Sequence, residues 1–490
     1  MVASDKFIPA IRLTPSPDTP LYLQVVRALI GEIQRGRLPP GGFLPSSREL
    51  AAALGVNRKT IVLAYEELTA QGWLASETTR GTAVSPSLPD QSPDFAAQPL
   101  NPAHGPTKAE YRFRQPPSTS LSIPTGPWRK LDEGAPDGRL FPSDLLARAY
   151  KTAIEQAAGA NQLQYRDPRG SPKLRESIAT MLRTQRGVMA SMENICITRG
   201  SQMGIFLASR VLTSPGDAVL VEALTYEPAV AAFRACGAQV VPVSLTAGGI
   251  DVDEVEQNCR RHRVRAIFLT PHHQFPTTVS LSPEKRLRLL ELARQFAFAV
   301  IEDDYDHEFH FGAQPLLPMA SYAPDHVIYV GSLSKLLVPN LRLGYVVAPA
   351  EVIDAIAYEV SLIDGMGNSL TEDAAALLTD SGEVRRHARK MTKIYGARRD
   401  DFVQTVAQEL GELVDFRTPD GGLALWLKFR DPEVLDRIER NAPGLGLRFA
   451  SSRSFMTRPD ADRGLRIGFA SLEPAEARDA LRKLRQAAEA

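Results

Sequence analysis

The stretch VGSLSKLLVPNLRLGY, Val330 to Tyr345, decides how the larger part of the chain folds. A β-type run, HVIYV, leads into it, and a second, LGYVVAP, closes it. Between the two stand Ser332, Lys335 and Arg342. A surface lysine needs no such frame. A lysine just past a buried strand is placed to meet a ligand, because open α/β sheets bind ligands beyond the carboxyl ends of their strands.

Working outward, DAVLVEAL, AQVVPVSL, RAIFLT and FAVIED are further strand candidates. Several are nearly continuous apolar runs, the pattern of strands buried on both faces. Amphipathic stretches such as PEKRLRLLELARQF separate some of them, which predicts an α/β domain with a largely parallel sheet. EDDYD (302–306) and TPHHQFPTT (270–278) follow two of the strands, and TRGSQ (198–202) precedes a helix. These residue types suit pyridoxal phosphate. That cofactor needs an amine for a Schiff base, an acid beside its ring nitrogen, and anion contacts for its phosphate. A lysine, a carboxylate, and a helix start with hydroxyls and an arginine supply them.

At 490 residues the chain exceeds one ordinary core, so two or more domains are expected. Lys+Arg 57 balance Asp+Glu 57, which leaves no global field toward nucleic acid or membrane. Three scattered cysteines fit a reducing compartment. With no signal-peptide core and no apolar run near the ~18 residues of a membrane span, the chain reads as cytoplasmic. Residues 1–85 are helix-rich, 86–125 form a Pro/Ser-rich linker, and 126–490 carry the α/β domain, with a smaller α+β subdomain from about 410.

The N-terminal block reads as a winged helix-turn-helix. LYLQVVRALIGEIQRG has helical apolar spacing and stops at Gly36. Ser46 and Glu49 form a capping box, Gly55 ends that helix, and Asn57 can cap the next. Ile61, Ala64, Tyr65 and Leu68 make a buried stripe, and GWLASETTRGTAV alternates like a wing. With PLYLQV, GRLPPG, LPSSRELAAALGVNRKT, AYEELTAQGWL and RGT, the block resembles the GntR-family DNA-binding domain. That resemblance implies double-stranded operator DNA as partner, with Arg48, Arg58, Lys59 and Thr60 facing it and Arg80 and Gly81 in the wing. The first turn of the second helix is where such folds reach base edges. Charge adds little support: residues 1–85 hold nine Lys/Arg against seven Asp/Glu.

The larger domain resembles a fold-type I aminotransferase, and the whole chain the MocR/GabR-type subfamily of GntR regulators. The carrying motifs are YRDPRGSPKLRESIATMLRTQRGV, ITRGSQMGIFLASRVL, GDAVLVEALTYEPA, TPHHQFPTT, IEDDYDHEF, YVGSLSKLLVPNLRLGYVVAP and GLRIGFA. The resemblance implies Lys335 as the Schiff-base lysine, Asp303 on the pyridinium nitrogen and Tyr305 on the ring hydroxyl. Asp304 is the alternative to Asp303, since alternation turns only one of them to the ring. It further implies Gly200, Ser201, Gln202, Ser332 and Arg342 around the phosphate, Tyr226 over the ring, and Tyr165 reaching the partner subunit's phosphate in a homodimer. Arg466 would grip an effector's acid group. Phe275 departs from the pattern, standing where simple aminotransferases place Asn, which leaves the roles of His272, His273 and Gln274 open. His307 and His310 suggest a metal, but no four-ligand set accompanies them, and none is expected.

The expected function is transcriptional regulation. Aldimine exchange at Lys335 would sense an acid-bearing amine, such as an α-amino acid, γ-aminobutyrate or taurine, and control DNA binding. The alternatives are an active aminotransferase and a sensor of pyridoxal phosphate itself.

Overall fold

The computed structural model describes residues 11, 13–14, 19–77, 81–89, 111–112, 128–131, 134–312 and 316–490. The chain divides into two compact units, residues 1–122 and 123–490. Most of the expected linker, and Arg80, lie outside the described residues.

The first unit holds α1 (Leu21–Gln34), α2 (Ser47–Leu54), α3 (Arg58–Ala70) and an antiparallel hairpin of β1 (Leu74–Glu77) and β2 (Gly81–Val84). Local chemistry sets these bounds. The Ser46 hydroxyl accepts from the Glu49 amide at 3.3 Å, and the Glu49 carboxylate accepts from the Ser46 amide at 2.7 Å. Gly55, at φ 65°, ends α2 in the left-handed region that glycine tolerates. Asn57 starts α3 by accepting from the Lys59 amide at 2.8 Å. Ile61, Ala64, Tyr65 and Leu68 then pack in one core with Val25, Leu29 and Leu50. The buried Tyr65 hydroxyl is satisfied by the Pro45 carbonyl at 2.7 Å.

The second unit is built on a seven-stranded sheet. Its strands are β3 (Ile195–Thr198), β4 (Ala218–Glu222), β5 (Gln239–Val243), β6 (Val264–Leu269), β7 (Ala299–Asp304), β8 (Val327–Ser332) and β9 (Gly344–Val347). Their spatial order is β3-β9-β8-β7-β6-β4-β5. Every neighbouring pair is parallel except those made by β9, which runs antiparallel to both β3 and β8. Alternate side chains feed two cores. Leu220, Ile267, Val300 and Tyr329 enter one. Val219, Phe268, Ile301 and Val330 enter the other, with Ile205 and Ala208 of α4 (Ser201–Leu212). Burial on both faces is why these strands read as unbroken apolar runs. β5 differs: it is an edge strand, half-exposed and carrying Pro242, which an edge accepts. β3 falls outside the runs read as strands; its four residues are too few for a periodic signal.

A third core belongs to the smaller subdomain. There β10 (Val414–Asp415), β11 (Ala424–Phe429) and β12 (Leu465–Gly468) form an antiparallel sheet. The long helix α5 (Glu383–Leu410) and α6 (Pro474–Glu489) add Phe402, Val406, Leu481 and Leu484 to its core. No helix of the described residues is long and apolar enough to cross a membrane.

Candidate functional site

Asp303 stands at the end of β7, Lys335 just past β8 and Thr270 just past β6. They line one pocket of about 250 Å³ with Ser201, Tyr226, Phe275, Tyr305, Lys130, Gly134 and Ala135. Lys335 Nζ donates to the Gly134 carbonyl and lies 5.9 Å from the Tyr305 ring centroid. Tyr226 and Phe275 meet edge to face at 5.4 Å.

Alternation along β7 turns Asp303 to the pocket and Asp304 to the opposite face. Asp303 Oδ1 is buried and has no hydrogen-bond partner among the described residues. Burial, then the charges of Asp304 and Asp306, push its carboxyl up to about 8 against the pull of Lys335. Asp304 is the reverse case. Its Oδ2 accepts from Arg186 at 2.6 Å and from the Tyr329 hydroxyl at 2.7 Å. His272 and His307 stand 3.3 and 3.5 Å from its carboxylate. Burial opposes ionisation, but the Arg186 guanidinium, with the His272 and His307 rings beside it, holds this carboxyl far below the usual range. Burial also pushes His272 down to about 3, so its ring is neutral and Arg186 is the cation of the cluster.

Anion contacts gather where α4 begins. Gly200 precedes it at φ 79°, and a Cβ there would lie 2.8 Å from Arg342 Nη2. The positive φ favours glycine there, and any Cβ would also push the guanidinium aside. Arg342 Nη2 donates to the Arg199 carbonyl at 3.0 Å. Ser201 opens the helix and lines the pocket, so the helix amide groups and a hydroxyl face one end of it, while Arg342 stands beside Gly200, outside the pocket wall.

Other sequence-derived candidates lie farther off. Gln202 turns its amide to the Pro228 carbonyl at 2.8 Å. Ser332 is buried and accepts from the Ser334 amide at 3.2 Å, outside the pocket wall. Tyr165 is 91 % exposed and takes no part in the wall within this chain. Arg466, 1 % exposed, sits behind the wall on β12. It donates to the Pro276 carbonyl at 2.8 Å and to the Tyr305 hydroxyl at 3.1 Å, with its guanidinium 4.7 Å from the Phe275 ring centroid. Tyr305 in turn donates to the His273 carbonyl at 2.9 Å.

The 270–278 loop is braced rather than open. His273 Nδ1 meets Asp306 at 2.6 Å, and the Gln274 amide donates to Glu222 at 3.1 Å and to the Leu224 carbonyl at 2.7 Å. Phe275 reaches the pocket from the middle of the loop, and Thr270 lines it at the loop's start. Among the described residues no group of three or more His, Cys, Asp or Glu could hold a metal. Lys130, Gly134, Ala135 and Thr270 carry no sequence signal for a place in the wall. A segment some two hundred residues before Lys335 brings the first three there.

The pocket fits pyridoxal phosphate on its own geometry. It offers a buried, orphaned carboxyl oxygen for a ring N–H, a lysine amine, aromatic faces and a glycine-opened helix start, with Arg342 against that glycine from outside the wall. In the first unit Arg48 lies in the first turn of α2, and Arg58 and Lys59 in that of α3, all exposed. Thr60 follows, half-buried, and Gly81 opens β2, exposed. Arg58 Nε donates to the Ser47 hydroxyl at 3.3 Å, tying the two helices together.

Comparison with known proteins agrees with both units. Residues 128–484 match the model for aminotransferase class I and II, and residues 21–84 that for bacterial regulatory proteins of the gntR family. The chain is 29 % identical over 475 residues to the probable rhizopine catabolism regulatory protein MocR of Rhizobium meliloti, covering 96 % of this chain and 94 % of that one. It is 28 % identical to the pyridoxine biosynthesis transcriptional regulator PdxR of Corynebacterium glutamicum, with 94 % of each covered. Among solved structures, kynurenine aminotransferase of Pyrococcus horikoshii superposes with a TM-score of 0.68 at 27 % identity, over 74 % of this chain and 91 % of that one.

Proposed function

The chain belongs to the class I and II aminotransferase family and carries a GntR-family headpiece, and on that premise we propose how this pyridoxal-phosphate-binding transcriptional regulator works. Its larger domain senses an amino compound that also bears an acid group, and the headpiece carries the response to operator DNA. The observation behind this reading is the pairing, in one pocket, of the orphaned Asp303 carboxyl with Lys335, in a chain that also carries a DNA-binding headpiece.

When bound, pyridoxal phosphate supplies an aldehyde carbon that Lys335 or a competing amine can occupy. The chain's residues do the rest. Asp303 Oδ1 holds the proton shared with the ring nitrogen. The Tyr305 hydroxyl meets the ring oxygen, and Tyr226 covers the ring. Ser201 at the helix start and Arg342 beside Gly200 would hold the phosphate; Gln202 and Ser332 would join them by leaving the Pro228 carbonyl and the Ser334 amide, and Tyr165 would come from the second subunit of a homodimer. Arg466 takes the effector's acid group, for which the acid must win the guanidinium from the Pro276 carbonyl and the Tyr305 hydroxyl. Two anchors then read amine and acid together. An effector favouring one state of the dimer shifts its population, and with it operator binding. The domain bounds that go with this reading are 1–85, 86–125 and 126–490.

A DNA shift assay with and without cofactor and amino compounds tests it. Arg58→Ala is expected to weaken operator binding by about 1–3 kcal/mol if it reads a base, with cofactor absorbance unchanged. Arg466→Ala is expected to keep the cofactor and basal DNA binding while losing about 1.5–3 kcal/mol of effector affinity, roughly 10- to 150-fold. A wild-type response in that variant removes Arg466 from the mechanism. The relative named for pyridoxine biosynthesis supports a second reading, in which cofactor loading alone is the signal. A change in DNA binding with pyridoxal phosphate and no amine would favour it.

A further inference from the structure

A second cavity, of about 770 Å³, opens on the far side of the acid cluster from the cofactor pocket. Glu308 lines it, with Arg186, His307 and one side of α5. The Glu308 side chain is 10 % exposed, yet neither carboxyl oxygen has a hydrogen-bond partner among the described residues. Its polar neighbours within the chain are its own backbone amide and His307 Nε2, the latter at 3.3 Å. Burial pushes both groups toward neutrality, the Glu308 carboxyl upward and the His307 ring down to about 4. A buried carboxyl without a donor is costly, and native proteins rarely leave one without a reason. Asp380, the other acid of the wall, is already engaged by the Ser177 hydroxyl at 2.6 Å.

The rim carries the opposite chemistry. Arg385, Arg389 and Lys393 all line the cavity and stand four residues apart on α5. Like charges at that spacing repel and destabilise a helix. Arg385 also lies in the first turn, where the helix dipole disfavours a cation. All three are exposed, and none makes an ion pair with the described residues. The chain thus tolerates two unfavourable features side by side: an acid with no donor inside, and cations with no acid at the mouth. On the same wall the helix Pro172–Met181 runs on into a π turn, Leu182–Arg186. Such turns recur at functional sites.

We infer that this cavity is a second small-molecule site, for a zwitterion whose ammonium group meets Glu308 and whose acid group meets Arg385, Arg389 and Lys393. It is separate from the pocket of Lys335. Arg186 borders it and also holds Asp304, so an occupant touches the cluster that backs the cofactor pocket.

The test uses the holo protein after borohydride reduction, which fixes the cofactor on Lys335 and closes that pocket to amines. Glycine, γ-aminobutyrate and 5-aminovalerate, which space the two charges differently, are titrated calorimetrically, with butylamine and butyrate as half-ligands. At least one zwitterion is expected to bind tenfold or more tightly than either half. Glu308→Gln and Arg389→Ala are each expected to weaken it tenfold or more. The exposed Arg389 keeps the test open if the Glu308 variant fails to fold. The inference is overturned if no zwitterion binds, if butyrate or inorganic phosphate binds as well as the zwitterions, or if Arg389→Ala leaves binding unchanged. Titration of unreduced protein reads the Lys335 pocket, so either site can fail without the other.

Discussion

Asp303 and Asp304 are adjacent, equally buried aspartates on opposite faces of β7, yet the structure treats them in opposite ways. On the back face Asp304 has a guanidinium and a tyrosine hydroxyl at hydrogen-bond distance, with two imidazoles close by. On the pocket face Asp303 keeps an oxygen with no donor among the described residues. Burial penalises the charge of both, so the difference lies in what each is given to replace water. The back face is finished within the chain at Asp304 Oδ2, by Arg186 and Tyr329, though Asp304 Oδ1 also lacks a hydrogen-bond partner among the described residues. The pocket face is finished by whatever enters it.

The largest expected effect lies on the finished side. Asp304→Ala leaves Arg186 buried and uncompensated, which costs about 3–5 kcal/mol. Thermal and urea unfolding of the cofactor-free protein should register that loss, whereas Asp303→Asn should leave its stability equal or higher. A larger loss from the Asp303 variant would reverse the comparison.

Ligand binding should rank the two faces the other way. Asp303→Asn is expected to weaken pyridoxal phosphate binding by about 1.5–3 kcal/mol, the worth of a charged hydrogen bond, read from the visible absorbance on cofactor titration. Lys335→Ala should fold normally and show no absorbance band that borohydride can fix to the protein. A reducible adduct in that variant would mean the amine is another one.

The smallest effect is a slope. The Asp303 carboxyl is raised to about 8 in the fold against an ordinary 3.8. Between those values the folded state holds a proton that the unfolded state has released, so stability falls as pH rises from about 4 to 8. Glu222, raised to about 8 by burial, adds to the same trend. His272 and His307, kept neutral by burial, oppose that trend below about pH 6.5, so the readout is the difference between proteins: the melting temperature of cofactor-free Asp303→Asn should fall less, or rise more, across this window than that of the wild type. An unchanged slope would mean that Asp303 is ionised in the empty pocket.

Legibility in the sequence followed the range of the interaction. Ser46, Glu49, Gly55 and Asn57 act on neighbours within a few residues, so the headpiece could be read from spacing alone. Lys335 and the acids of β7 were visible because each follows an apolar run. Which acid faced the pocket was not, since EDDYD offers adjacent carboxylates and only the sheet decides which way each points. Arg186 gave no signal at all: it reaches Asp304 from 118 residues earlier, off a π turn that no periodicity announces. Arg466 was read from its motif, but its place behind Phe275 depends on packing between the subdomain and the loop.

The antiparallel strand β9 has a consequence for the order of assembly. β3 sits at the sheet edge with β9 as its single neighbour, so Ile195–Thr198 must wait for Gly344–Val347 to leave the ribosome before it can pair. Such distant pairing is slow to form. The buried residues of the headpiece core all fall within Val25–Val84, and domains fold as units from the N-terminal end during synthesis. Each new molecule therefore gains its DNA-binding fold before the sheet that positions Lys335 is complete.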